Sequence, residues 1–239
     1  MANDQVIDAI RHNRNVPKAL PNAKQNCRPE PILDPVIVFF IGGAGDKERY
    51  YLTGPYNNIV EAKRVLDPKL QDLLRCQLYK SIYCGYNEVR GEDKIADHVI
   101  KEIPSRKSKI YIVGHSLGGW NGAHLSTILS SRGYIVEMLI TLDPVGEGKF
   151  VWAGSNIHRE KPIPEAKFWI NIRANPSNPD ASDFIADIGE RWNVKSGPTL
   201  NYIANINHYN AKKLFTVPLR ERKSAAEILY DAIRKVTAQ

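Results

Sequence analysis

Apolar positions along the chain follow two alternating patterns. Four runs are almost continuous in β-branched, aliphatic or aromatic residues: 36–41 (VIVFFI), 109–113 (KIYIV), 137–142 (EMLITL) and 167–172 (KFWINI). Such runs predict strands buried on both faces. A fifth run, 78–84, is weaker, and 200–206 alternates more. Helical periodicity fills the gaps, at 58–74, at 93–103 with Ile95, Val99, Ile100 and Ile103 on one stripe, and from Ser116 to about residue 131. Near the end, Ser224 and Glu227 form a capping box ahead of Ile228, Leu229, Ala232, Ile233 and Val236. Strands alternating with helices predict an α/β fold, a mostly parallel central sheet with helices on both faces.

No repeat or low-complexity tract interrupts this order. Residues 1–34 read as an N-terminal arm, in which Asn3 or Asp4 can cap a short helix carrying Val6, Ile7 and Ile10. Pro17, Pro21, Pro29, Pro31 and Pro35 then punctuate an extended connection. Residues 35–239 read as one domain, long enough for a full core. A hydrophobic share of 43% excludes a disordered chain. Cys27, Cys76 and Cys84 are too few and too scattered for a disulfide scaffold or a zinc site, and read as ordinary thiols. The polar N-terminus lacks the apolar stretch of a secretory signal, and the apolar run 36–41 falls far short of a membrane span. The expectation is a soluble protein, cytoplasmic as synthesised.

Chemistry enters at Gly114-His115-Ser116-Leu117-Gly118, a G-x-S-x-G pattern. The five residues alone are weak evidence; their setting carries the argument. An apolar strand ends at Val113 and a helix-compatible run, Trp120–Leu129, follows, which is the strand–turn–helix context of a nucleophile elbow. A serine on so sharp a turn needs strained backbone angles, and the flanking glycines let strand and helix approach closely. Ser116 then projects from the carboxyl edge of the sheet, beside a helix N-terminus that favours developing negative charge.

An activated serine needs a base oriented by a carboxylate, in the chain order serine, acid, histidine. Of the six histidines, His158 and His208 follow a suitable acid. His208 lies in a loop past the last strand, where a base should enter. His158 sits in a charged, loop-like insertion and reads as a surface residue or a substrate contact. His115 is better read as packing or as a supporting hydrogen bond, and His12 and His98 as solvated. Asp143, followed by Pro144 at the end of MLITL, is the preferred acid. Asp183 and then Asp180, in the loop after the next strand, remain alternatives, although Asp183 could instead cap the run FIADI. An oxyanion hole takes one N–H from Leu117 and a second from Gly43 or Ala44 in the loop GGAG. That loop lacks the lysine and spacing of a phosphate-binding loop, so a nucleotide is not expected. Phe150 and Trp152 after Asp143, and Tyr50 and Tyr51 after the oxyanion loop, are candidate substrate contacts. No metal-ligand spacing appears, and neither a metal nor another cofactor is expected.

These motifs resemble α/β-hydrolases of the lipase and esterase kind. GHSLGG at 114–119 is the form common in lipases, and Thr141-Leu142-Asp143-Pro144 is similar to the acid-bearing strand end of lipases whose acid follows the sixth strand of the family's sheet. The resemblance spans roughly residues 35–239. One departure stands at the oxyanion loop, where a His-Gly pair is common in the family and Ile41-Gly42-Gly43 stands here. The resemblance implies cleavage of carboxylic esters, of lipid or phospholipid type, through an acyl-enzyme on Ser116. An acyl-thioesterase or acyltransferase would use the same triad, and a non-catalytic binding protein would share the fold. The size and polar N-terminus are also similar to lipase effectors that bacteria inject into competitors, which implies export without a cleaved signal.

Charge adds a last expectation. The formal net charge is +7. Past His208 the chain carries Lys212, Lys213, Arg220, Arg222, Lys223, Arg234 and Lys235 against Glu221, Glu227 and Asp231. With a lipase-like site nearby, peripheral contact with an anionic membrane fits better than nucleic acid, since no aromatic-basic binding motif appears.

Overall fold

The computed structural model describes residues 34–50, 52–219 and 222–238; the N-terminal arm with its expected helix, Tyr51, Arg220 and Glu221 lie outside them. Among the described residues the apolar runs become six strands: β1 (Val36–Gly42), β2 (Tyr79–Gly85), β3 (Lys109–His115), β4 (Ile135–Leu142), β5 (Phe168–Ala174) and β6 (Leu200–Ala204). They form one sheet in the order β2-β1-β3-β4-β5-β6, every pairing parallel. The helices are α1 (Asn58–Leu66), α2 (Gln71–Arg75), α3 (Glu92–His98), α4 (Leu117–Ser131), α5 (Lys149–Gly154), α6 (Ala181–Ile188), α7 (Ala211–Thr216) and α8 (Ala225–Thr237). The protein is therefore α/β, with an arrangement that fits an α/β-hydrolase fold.

Strand periodicity explains why both faces need cover. In β1, Val36, Val38 and Phe40 pack with α1, α7 and α8, and Phe40 meets Phe215 edge-on. Ile37, Phe39 and Ile41 point the other way and pack with α3 and α4. All six side chains are buried, which is why the run is continuous and not alternating.

Strand order also fixes where a site can form. From β1 the chain moves to β2 on one side, then crosses back to β3 on the other. The carboxyl ends of β1 and β3 therefore flank the point where the winding reverses, and their loops part to leave a crevice there.

Three local readings change. The helix expected over 58–74 is broken into α1, a 3-10 turn at Asp67–Leu70, and α2. Pro68 is the reason, since its ring removes an N–H and crowds the preceding turn. The helix expected over 93–103 begins at Glu92 and gives way to a 3-10 turn at Ile100–Glu102, one residue short of Ile103-Pro104. Cys76 is disulfide-bonded, not a plain thiol, whereas Cys84 is a free, buried one. Among the described residues no helix is long and apolar enough to cross a membrane.

The Ser224–Glu227 box does form: Ser224 Oγ accepts from Glu227 N at 3.3 Å and the Glu227 carboxylate accepts from Ser224 N at 2.8 Å. It starts α8, whose Leu229 is fully buried against the sheet. Leu229→Ala should cost about 2–5 kcal/mol in urea unfolding, through lost burial and an unfilled cavity. Asp231→Ala, which removes only the exposed ion pair with Lys223, should cost under about 1 kcal/mol. Equal losses would contradict this account of how α8 is held.

Candidate active site

β3 ends at His115, α4 begins at Leu117, and Ser116 stands alone between them with φ 55° and ψ −127°. A non-glycine residue in this region carries strain of about 1–3 kcal/mol, and persists only where its surroundings fix it. Here Ser116 N donates to Leu142 O at 3.1 Å, and Ser116 O accepts from the N–H groups of Gly119 and Val145. The flanking glycines are required sterically. A Cβ on Gly114 would lie 2.3 Å from Gly118 O, and one on Gly118 would lie 2.3 Å from Ile41 O. Strand, helix and the end of β1 thus pack backbone against backbone.

The loop after β1 lies directly on this elbow. A Cβ on Gly43 would fall 2.6 Å from Ser116 Cβ, so Gly43 is in contact with the serine, with Ala44 next to it. Leu117 N belongs to the first turn of α4, whose N–H groups have no partner within the helix. The loop is closed by Asp46, a residue sequence reasoning passed over. Asp46 N donates to Gly43 O, and its buried carboxylate accepts from the first N–H groups of α1, Asn58 and Ile59. Burial pushes its pKa up to about 6, against the pull of those two hydrogen bonds.

His208 sits in the loop between β6 and α7 and meets Ser116 from above the sheet. Its Nε2 lies 3.0 Å from Ser116 Oγ, and its Nδ1 lies 2.7 Å from Asp143 Oδ2. A carboxylate only accepts, so Nδ1 carries the proton and Nε2 is free to accept from the serine hydroxyl. The backbone is held as tightly as the ring. His208 N donates to Asp183 Oδ1 at 2.9 Å, and His208 O accepts from His115 Nε2 at 2.7 Å. His115 also lies against the His208 ring, with centroids 4.8 Å apart. Its burial, reinforced by the neighbouring His208, drives its pKa down to about 3 and keeps it neutral.

The three candidate acids separate by what they touch. Asp143, at φ 42°, has no exposed surface, accepts from Ala174 N through Oδ1, and meets the His208 ring through Oδ2. Burial opposes its charge, but the His208 ring and the Arg191 guanidinium outweigh it and hold the carboxyl below the usual range. Asp183 holds the backbone of His208 and not its ring. Asp180 caps α6 by accepting from Ser182 N and Asp183 N. The cap expected of Asp183 thus belongs to Asp180, with Asp183 completing the box from inside the helix.

Arg191 is the second residue that sequence reasoning missed. Its side chain is 7% exposed, and Nε donates to Asp143 Oδ2 at 2.8 Å while NH2 donates to Asp183 Oδ1 at 2.8 Å. One signal was visible in the sequence: Asp183, Asp187 and Arg191 recur at intervals of four, the spacing of helical ion pairs.

Of the proposed substrate contacts, Phe150 on α5 is 81% exposed. Trp152 Nε1 donates to Gly146 O, and Tyr50 Oη lies 2.8 Å from Ser155 Oγ just past α5. Both of these therefore anchor α5, and Tyr51 lies outside the described residues. His158 stacks on His124, two turns of α4 beyond Ser116, and gives its carbonyl to Trp120 Nε1. It is half-buried in the loop that follows α5, not a free surface side chain. His98 too is only half-exposed, 3.7 Å from Glu88.

The basic tail divides: Lys212 and Lys213 lie on α7 just past His208, and Arg234 and Lys235 lie on α8. Lys223 pairs with Asp231 and Arg234 with Asp72. Lys235 lines a cleft with Lys109, Glu137 and Lys167, residues at or near the amino ends of the strands and the edge opposite Ser116. Among the described residues no three side chains cluster as metal ligands.

No protein-family profile and no curated protein matches the chain. Among solved structures, one similar chain is a metagenomic carboxyl esterase with 14% identity and a TM-score of 0.38, the alignment covering 89% of this chain and 78% of that one. The likeness is too distant to bear on the site.

His115 makes a stability prediction with a definite sign. Its folded pKa, about 3, lies below the ordinary value of 6.5, so the unfolded chain takes up a proton that the folded protein refuses. Stability from this residue is full above pH 6.5 and falls as the pH drops toward 3. At pH 5 the loss is about 2 kcal/mol. His115→Gln keeps a donor for His208 O but does not titrate. Its stability deficit relative to the native protein should therefore shrink by about 2 kcal/mol between pH 8 and pH 5 in denaturant titrations; a constant deficit would overturn the assignment.

Proposed function

We propose that this protein is a serine hydrolase of carboxylic esters. One observation carries the reading: the continuous hydrogen-bond chain from Ser116 Oγ through both nitrogens of His208 to the buried carboxylate of Asp143. A buried serine, imidazole and carboxylate so arranged have the geometry of a nucleophile, its base and the group that orients the base.

In this reading Ser116 Oγ attacks the ester carbonyl carbon as its proton passes to His208 Nε2. The carbonyl oxygen becomes an oxyanion facing Leu117 N and the backbone of Gly43 or Ala44. Collapse of the tetrahedral adduct breaks the bond to the leaving alkoxide, which takes the proton back from His208. Water, deprotonated by His208, then attacks the acyl-serine, and breakdown restores Ser116 and releases the acid. Asp143 stays ionised throughout and stabilises the imidazolium that forms twice per cycle.

The finer part of the proposal is an ester with an apolar acyl chain, of lipid or phospholipid type. The support is the exposed Phe150 on α5, together with Val151 and Trp152 of the same helix packed on the core beside it.

Labelling with a fluorophosphonate probe should be complete in the native protein and absent in Ser116→Ala. Turnover of nitrophenyl esters should fall by about 10⁴-fold or more in Ser116→Ala and by about 10³- to 10⁴-fold in Asp143→Ala. Asp183→Ala, which leaves the His208 ring bonded to Asp143, should lose far less. Labelling or turnover that survives Ser116→Ala overturns the enzyme reading. A rate that peaks at the acetyl ester and declines with chain length overturns the lipid reading alone.

A further inference from the structure

We infer that Arg191 is a positioning residue for His208: one guanidinium locks together the two carboxylates that hold the histidine, one by its ring and the other by its backbone. Its bearing on turnover rests on the ester-hydrolase reading above; its bearing on His208 does not.

The geometry is a shared-oxygen arrangement. Asp143 Oδ2 accepts from His208 Nδ1 at 2.7 Å and from Arg191 Nε at 2.8 Å. Asp183 Oδ1 accepts from His208 N at 2.9 Å and from Arg191 NH2 at 2.8 Å. Each oxygen that fixes His208 is thus also fixed by Arg191. A guanidinium is planar and rigid, so Nε and NH2 set the spacing between the two oxygens, and through them the tilt of the ring toward Ser116. The remaining nitrogen, NH1, bonds Asp183 O and the Asp187 carboxylate, closing the fork on α6.

Arg191 is itself held in register with the acid. It forms an antiparallel bridge with Val145, two residues past Asp143. On either side, Gly146 N donates to Glu190 O at 3.1 Å and Trp192 N donates to Pro144 O at 2.7 Å. Trp192 is buried between Trp120 and Trp169, with ring centroids at 5.6 and 5.4 Å. The guanidinium therefore reaches Asp143 from a backbone with little freedom to shift.

Its charge matters as well as its shape. Asp143 and Asp183 are both buried, and the Arg191 guanidinium helps to hold both carboxyls below their usual range. Without Arg191, one uncompensated carboxylate is left at the His208 ring and another at its backbone, and nothing fixes the spacing between them.

The test uses Arg191→Gln, Arg191→Lys and Arg191→Ala in the full chain. Rates are expressed per site titrated with fluorophosphonate, so that misfolded protein does not count. Arg191→Gln should lower kcat by about 10²-fold with KM within about twofold. Arg191→Lys keeps the charge and loses the fork, so kcat should still fall about tenfold. Millimolar guanidinium should restore part of the rate of Arg191→Ala, and urea should not. Proton NMR of the His208 Nδ1–H, which is bonded to the oxygen that Arg191 also holds, reads the same effect without turnover: its resonance should move in both Arg191→Gln and Arg191→Lys. Unchanged kcat per site and an unchanged Nδ1–H resonance, with only a lower melting temperature, would make Arg191 merely structural and overturn the inference. If the native protein hydrolyses no ester, the function reading fails and the NMR resonance alone decides the role of Arg191.

Discussion

Asp143 has no exposed surface, and a carboxylate taken from water into a protein interior costs several kcal/mol unless charge and hydrogen bonds replace its hydration. The replacements come from three separate places in the chain: Ala174 N at the end of β5, the His208 ring after β6, and Arg191 beyond α6. Satisfying this one group therefore dictates where three loops lie. Backbone bonds bind the same point to the serine. Asp143 N donates to Ile172 O, Ser116 N to Leu142 O, and Val145 N returns to Ser116 O. Two residues with strained, positive φ, Ser116 and Asp143, are thus held by each other's loops.

Sheet topology explains why these loops meet. The winding reverses between β1 and β3, so the loop carrying Gly43 and the elbow carrying Ser116 emerge side by side. Reading onward from β3, the chain adds β4, β5 and β6 in spatial order, and each delivers one component at its carboxyl end: Asp143, Ala174 and His208. Parallel strands make this possible because every carboxyl end lies on the same edge. The positive end of α4 lies there too, beneath the position where charge would develop.

Much of this was legible in the sequence because it is written locally. Strands buried on both faces need continuous apolar runs, and an elbow needs Gly114 and Gly118 around its serine, whatever lies elsewhere. The choice among acids was not local. Asp143 and Asp183 both follow strands, and both in fact bond His208, one at the ring and one at the backbone amide. Linear distance carries no information about which atom of a histidine a carboxylate will face. Asp46 and Arg191 were hidden for a similar reason: Asp46 meets the start of α1, and although the spacing of Arg191 from Asp183 and Asp187 was visible, nothing local points from it to Asp143. Nearness in sequence does not carry over to the whole tail: α8 follows His208 but runs back along the sheet, which carries Arg234 and Lys235 away from the serine, whereas Lys212 and Lys213 stay on α7 next to His208.

The segment between β4 and β5 adds a division of labour. After α5 the chain lies along the outer side of α4, where its main-chain groups are recognised by side chains of that helix. Asn121 Nδ2 donates to Asn156 O and Asn121 Oδ1 accepts from His158 N. Further along, His124 Nε2 donates to Glu160 O and Ser126 Oγ accepts from Glu165 N. These main-chain groups find side-chain partners in place of regular secondary structure. One end of α5 is fixed by Gly148 N on Gly189 O and the other by Ser155 against Tyr50. The helix is therefore held by groups distinct from those that hold Ser116, His208 and Asp143. Its exposed face carries Phe150, whose side chain takes no part in anchoring the helix.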